Sequence, residues 1–166
     1  MKSAVFVAYV GVFTALTTVA TIMIQIPVPQ TRGYINLGDT MVMLSGLLLG
    51  ASAGFIAGGL GSALADMATG YLHWAPFTLV IKGLEGAVIG FLARKGGWMA
   101  VLGTIIGGLL MVLGYFTVEC FLYGLGGALV EAPGNVFQAV TGMLLANVAH
   151  KVISRIFKDV TGLNKG

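Results

Sequence analysis

The chain has 166 residues, of which 57% are hydrophobic and only 9% charged, with a mean hydropathy of +0.96. A soluble domain carries roughly a quarter charged residues, so this composition cannot coat a water-facing globule and reads as an all-α integral membrane protein, one transmembrane domain over residues 1–166. The formal charge of +3 is too small and too unevenly placed to mark a nucleic-acid binder, and the single cysteine, Cys120, excludes an internal disulfide or a cysteine-rich metal site.

Six spans are expected, the second and third of them short. The first covers about 4–26 and stops at Pro27 and Pro29. Its apolar run is too long for a signal peptide and lacks a small-residue cleavage pattern, so it is expected to stay in the mature protein. Ala4, Ala8, Gly11 and Ala15 recur at helical spacing as a strip of small residues. Such a strip lets another helix come close, either within the same bundle or on a separate membrane subunit. Residues 27–38 are expected as a twelve-residue loop with one charge, Arg32, placed to act as a lid. The apolar run 39–71 would make a single helix of about 50 Å, against a hydrocarbon core of about 30 Å. Gly50-Ala-Ser-Ala-Gly54 offers a break, giving helices over 39–49 and 52–70, with Asp39 as N-cap of the first. Gly54, Gly58 and Gly61 share one face of the second, as a packing surface.

The fourth span, 76–94, carries Lys82 and Glu85 three residues apart on one face, with Gly83, Gly86 and Gly90 on another. Ionisable groups at membrane depth cost a few kcal/mol or more and face a partner or a watery hollow. Two readings follow: an ion pair that holds helices together, or the wall of a solute-binding cavity. The fifth span, 98–123, brings Tyr115, Glu119 and Tyr123 to one face. A glycine-rich loop is expected over 124–134, then a sixth span over 135–157 that begins with Asn135 and Gln138.

Lys2, Arg94, Lys95, Lys151, Arg155, Lys158 and Lys165 then fall on one side, which places both termini in the cytoplasm. The opposite side gathers Asp39, Asp66, Tyr71, His73, Trp74, Tyr115, Glu119, Glu131, Asn135 and Gln138, so the site is expected in the outer half. The chain has no G-x-x-x-x-G-K-[ST] phosphate loop and no H-E-x-x-H pair, so no cofactor, metal or catalytic residue is expected.

Asn36-Leu-Gly-Asp39, Leu47-Leu-Leu-Gly50, Ala53-Gly54, Gly61-Ser-Ala-Leu-Ala-Asp66, Gly70-Tyr71, Ala75-Pro76 and Lys82-Gly-Leu-Glu-Gly86 resemble the substrate-binding (S) components of energy-coupling factor (ECF) vitamin transporters. The likeness covers about residues 4–156 and is closest to the group for riboflavin, pyridoxine and hydroxymethylpyrimidine. It implies a multi-pass protein of a bacterial or archaeal cell membrane that captures a vitamin-like small molecule from outside. It implies as partners the lipid bilayer, a transmembrane coupling (T) component and two ABC-type ATPases, with release of the load by toppling. Docking through the first helix would use Ala4, Ala8, Gly11 and Ala15, although these do not form a clean mid-helix A-x-x-x-A. A small flat heterocycle suits the residues gathered on the outer side. Trp74 and Tyr115 would stack on it, with Lys82, Glu85, Glu119, Asn135 and Gln138 as polar contacts and Arg32, Tyr34 and Asn36 in the lid. Few polar groups are present, which favours pyridoxine or hydroxymethylpyrimidine over riboflavin. Two other readings stay open: a structural or assembly membrane protein without a ligand, and a membrane-embedded enzyme using Lys82 and Glu85.

Overall fold

The computed structural model describes the backbone of residues 3–161 and the side chains of residues 4–155. Helix α1 covers Ser3–Met23, and a hairpin of β1 (Gln25–Val28) and β2 (Gly33–Asn36) follows it. Then come α2 (Asp39–Leu49), α3 (Ala51–Thr69), α4 (Ala75–Ala93) and α5 (Trp98–Thr161). Three of these helices are long and apolar enough to cross a membrane, over Ala4–Met23, Ala75–Ala93 and Trp98–Arg155.

The expected count of six spans is not matched, since the described residues form five helices. The eleven residues of α2 are too few to cross a hydrocarbon core. The elements expected over 98–123 and 135–157 lie within one helical element, α5, which Gly124, with φ 76° and ψ 170°, divides into two arms. Residues 124–134 are therefore not a loop. One glycine, free to take a positive φ, re-aims the chain, and the Leu- and Ala-rich stretch after it resumes the helix through Pro133. The two arms of α5 then run side by side in opposite directions, as Asn147 Nδ2 donating to Thr104 Oγ1 at 2.9 Å and Asn135 Nδ2 donating to Glu119 Oε1 at 3.1 Å show.

The expected lid loop is likewise structured. Gln25 pairs with Asn36 and Val28 with Gly33 in an antiparallel ribbon, closed by a four-residue turn in which Arg32 takes a φ of 50°. Pro27 sits inside β1, a position that a two-stranded ribbon tolerates because both of its strands have an open edge. Lys2 and Lys165 lie outside the described residues, as does the side chain of Lys158.

Close approach of backbones builds the bundle's centre. Gly54 of α3 and Gly86 of α4 face each other so tightly that a Cβ on either would strike the other's carbonyl group. Gly90 stands in the same way against Gly50 and Ala51. Lipid tails are as apolar as leucine, so burial alone does not drive such helices together, and small residues that let backbones meet do so instead. On α1, Val10, Thr17 and Thr21 are buried toward the bundle, with Thr17 standing against Gly61 of α3, whereas Ala4, Ala8, Gly11 and Ala15 are all exposed.

Candidate functional site

Where the hairpin lies over the bundle, α1, α3, α4 and both arms of α5 enclose a polar cavity. Its free volume is about 20 Å3, room for one or two water molecules. Tyr34, Asn36, Trp74, Lys82, Tyr115, Asn135 and Gln138 line it, together with Thr21, Ser62, Asp66, Thr78 and Glu131. Seven of the ten expected substrate contacts are thus brought to one place. Arg32, Glu85 and Glu119 are not among the lining residues.

The floor is an ion cluster. Lys82 Nζ bonds to Asp39 Oδ1 and stands 3.3 Å from Glu85 Oε2, with all three side chains almost fully buried. Asp39 does not act as the N-cap expected of it. Gly38 holds that position, and the Asp39 carboxylate turns inward because the buried ammonium needs more than one acceptor. Gln138 ties this floor to the lid, donating from Nε2 to Asp39 Oδ1 at 3.1 Å and accepting the Asn36 backbone N–H at 2.7 Å. Lys82 also lies 5.7 Å from the centroid of the Tyr115 ring, a cation–π distance. Glu85 is sealed behind Lys82, in the helix seam.

One wall is aromatic. The Trp74 ring lies 5.8 Å from that of Tyr115 and about 6.1 Å from those of Phe77 and Tyr123. Trp74 Nε1 donates to the Arg32 carbonyl at 3.2 Å, and the Tyr115 hydroxyl donates to Thr78 at 3.2 Å. The Arg32 side chain itself points away from the cavity, toward a shallow outer groove with Pro29, Tyr71 and His73.

Besides the bonds from Gln138 and Trp74, two side-chain pairs between carboxylates and hydroxyls hold the hairpin down. The Thr31 hydroxyl bonds to Glu131 Oε2, and the Tyr34 hydroxyl donates to Asp66 Oδ1 at 2.5 Å while its ring stacks at 4.5 Å on Tyr71. Burial, and then the Asp66 carboxylate, push the Tyr34 hydroxyl well above its ordinary pKa, so it remains a donor. Glu119 lies behind Asn135, with Oε2 lacking a hydrogen-bond partner among the described residues.

Thr21, Ser62 and Thr78 were not singled out as contacts from the sequence. A signal for the first existed: Thr14, Thr17, Thr18 and Thr21 make a polar ladder at helical spacing along an otherwise apolar helix. Thr78 belongs to a polar stripe with Lys82 and Glu85 at i, i+4 and i+7, whereas Ser62 stands out only as the residue one turn before Asp66.

A family model described as "ECF-type riboflavin transporter, S component" matches residues 1–155. An uncharacterized protein of Pyrococcus woesei is 48% identical over 130 residues, covering 77% of this chain and 87% of that one. A thiamine precursor transporter, HmpT, of Lactococcus lactis subsp. cremoris is 32% identical over 146 residues, covering 87% of this chain and 85% of that one. A UPF0397 protein of Streptococcus agalactiae is 33% identical over 85 residues, covering 51% of this chain and 46% of that one. On the match across nearly its whole length, this chain belongs to the family of ECF-type riboflavin transporter S components.

Proposed function

We propose that the cavity beneath the hairpin captures a small water-soluble vitamin or vitamin precursor, a hydroxymethylpyrimidine or pyridoxine in preference to riboflavin. As an S component the chain is a transport subunit and not an enzyme. The observation that carries the substrate reading is the cavity itself, which joins an aromatic wall to buried polar groups beneath the hairpin. Stacking on Trp74 and Tyr115 would hold a flat ring, and Asn135, Gln138 and Lys82 would orient it. Arg32, Glu85 and Glu119 act one step back: Arg32 through the backbone of the turn, Glu85 by fixing Lys82, and Glu119 by fixing Asn135. The likeness to a thiamine precursor transporter supports the smaller rings.

A cavity of about 20 Å3 is far below the several hundred Å3 of ordinary ligand pockets. Entry therefore requires the hairpin to lift, breaking its bonds from Thr31 to Glu131, Tyr34 to Asp66, Asn36 to Gln138 and Arg32 to Trp74. The exposed strip of Ala4, Ala8, Gly11 and Ala15 is the docking face for the coupling component, which carries two ABC-type ATPases. Gly11 supports this placement, since a Cβ there would meet nothing within 4 Å. Both termini face the cytoplasm, the hairpin faces outside, and the subunit topples in the bilayer to deliver its load inward. The sets of basic residues at 94–95 and 151–155, at the end of the bundle away from the hairpin, support that orientation.

Native mass spectrometry of the protein extracted from cells grown on rich medium tests the reading. A co-purifying mass equal to hydroxymethylpyrimidine, pyridoxine or riboflavin is expected, and it should vanish in Asn135→Ala/Gln138→Ala. A bare polypeptide that also fails to take up any of the three when they are added in excess would contradict it.

A further inference from the structure

The lining of the cavity is uneven in what it can still bond. Each of its nitrogen and phenol donors already has at least one acceptor. The Lys82 ammonium faces Asp39 and Glu85, Asn135 donates to Glu119, and Gln138 donates to Asp39. The hydroxyls of Tyr34 and Tyr115 donate to Asp66 and Thr78, and the Trp74 ring N–H donates to the Arg32 carbonyl. The acceptors are not all engaged. Asp66 is 2% exposed, lines the cavity, and its Oδ2 has no hydrogen-bond partner among the described residues. The buried Thr21 hydroxyl beside the cavity, able to accept or to donate, is also without a partner among the described residues. Charge points the same way. Asp66 and Glu131 both line the cavity, whereas Lys82, the one cation among the described lining residues, is shared by two carboxylates beneath it.

We infer that Asp66 selects the ligand, so that the cavity takes an uncharged or cationic ring bearing an amino group and rejects the phosphate esters of such rings. This rests on the reading of the chain as a vitamin-capturing subunit and narrows it. A ring amino group directed at Asp66 Oδ2 makes a charge-assisted hydrogen bond to an acceptor that water cannot easily reach. A carbonyl at the same ring position would set oxygen against oxygen. A phosphate ester brings close to two negative charges at neutral pH into a space walled by Asp66 and Glu131.

The test is calorimetric titration of the full chain in detergent with 4-amino-5-hydroxymethyl-2-methylpyrimidine, its 4-oxo counterpart and its phosphate ester. Losing one charged hydrogen bond corresponds to a factor of about ten to a hundred in affinity, so the 4-oxo compound is expected weaker by about that factor. The ester is expected weaker by about a hundredfold or more, as like charges brought together cost several factors of ten. Asp66→Asn keeps an oxygen for Tyr34 but offers an amide in place of a carboxylate. It should bring the amino and oxo compounds to within a few-fold of each other and narrow the gap to the ester. Thr31→Val, which loosens the hairpin at Glu131 and leaves the partners of Asp66 in place, should weaken the amino and oxo compounds together and keep their ratio. Equal binding of ester and alcohol by the unaltered protein would overturn the inference, as would an amino-to-oxo ratio unmoved in Asp66→Asn. Binding of pyridoxine or riboflavin with none of the aminopyrimidine overturns it too, while leaving vitamin capture intact. No binding of any of these compounds overturns vitamin capture itself.

Discussion

The two ends of the bundle solve the burial problem in opposite ways. Away from the hairpin, Met43, Leu44, Leu47, Ile89, Ala100 and Ala146 make a dry apolar core, and glycines on α2, α3 and α4 let the backbones meet. Beneath the hairpin the same helices bury Asp39, Asp66, Lys82, Glu85, Glu119, Glu131, Asn135 and Gln138. A buried ion pair is weak evidence for stability, since an apolar replacement of equal volume often serves as well or better. So dense a polar end, next to a core that shows the apolar alternative is available in the same helices, is placed for what it contacts. The dry end packs the scaffold, and the polar end is where the proposed ligand would be recognised.

The largest effect should come from removing the shared cation. Lys82→Met leaves Asp39 and Glu85 buried beside each other, a loss of about 3–5 kcal/mol. Thermal unfolding in detergent should show a much lower midpoint, or the variant should fail to run as a monodisperse species. Replacing all three residues with neutral ones of similar size should recover most of that stability. If Lys82→Met melts with the unaltered protein, the cluster is not the coupled unit described.

Next comes the glycine seam. Gly86→Ala pushes a methyl into the Gly54 carbonyl region and should cost about 1–3 kcal/mol by overpacking. Gly11→Ala meets open space and should leave the midpoint in place or raise it slightly. Equal behaviour of the two would remove the distinction between a packed face and a free one. A smaller and more local change is expected of Thr31→Val, which deletes the donor to Glu131. Hydrogen exchange should quicken at the hairpin amides of residues 25–36 and stay unchanged in α3 and α4. Uniform quickening would show that the hairpin does not open separately. Smallest in stability is Gly11→Leu, expected within about 0.5 kcal/mol of the parent, as for surface positions generally. Its ligand affinity should be unaltered, yet vitamin uptake by cells should fall sharply. Normal uptake would remove the docking role from that face.

Much of this plan was legible in the sequence, and what was not has physical causes. Helices α2, α3 and α4 could be placed to within about a residue, because Gly50 and Pro76 punctuate them and α-helical spacing orders their glycines. The stretch 124–134 misled because glycine content signals a loop, yet only Gly124 leaves the helical region and its neighbours remain helix-compatible. The hairpin was hidden by Pro27 and Pro29, which normally argue against a strand. Seven of the ten expected contacts line one cavity: Trp74, Lys82, Tyr115, Asn135 and Gln138 fall toward the same end of their helices, and Tyr34 and Asn36 arrive with the hairpin. The partners of Lys82 were only half visible. Glu85 is its neighbour on the helix, whereas Asp39 lies 43 residues away and meets it only through the packing of α2 on α4. Asp66 and Glu131 could be assigned to the correct end, but nothing in a sequence states which acceptor is left without a donor.

Two tryptophans make the central claim directly measurable. Trp74 is 3% exposed in the cavity wall, and Trp98 is 70% exposed at the opposite end. In Trp98→Phe the emission reports the cavity alone, and hydroxymethylpyrimidine, pyridoxine and riboflavin can each be titrated against it. The account predicts a saturable change at one ligand per chain for at least one of them, abolished by Asn135→Ala/Gln138→Ala. An emission that none of the three alters, from protein shown to be folded and monodisperse, would contradict it.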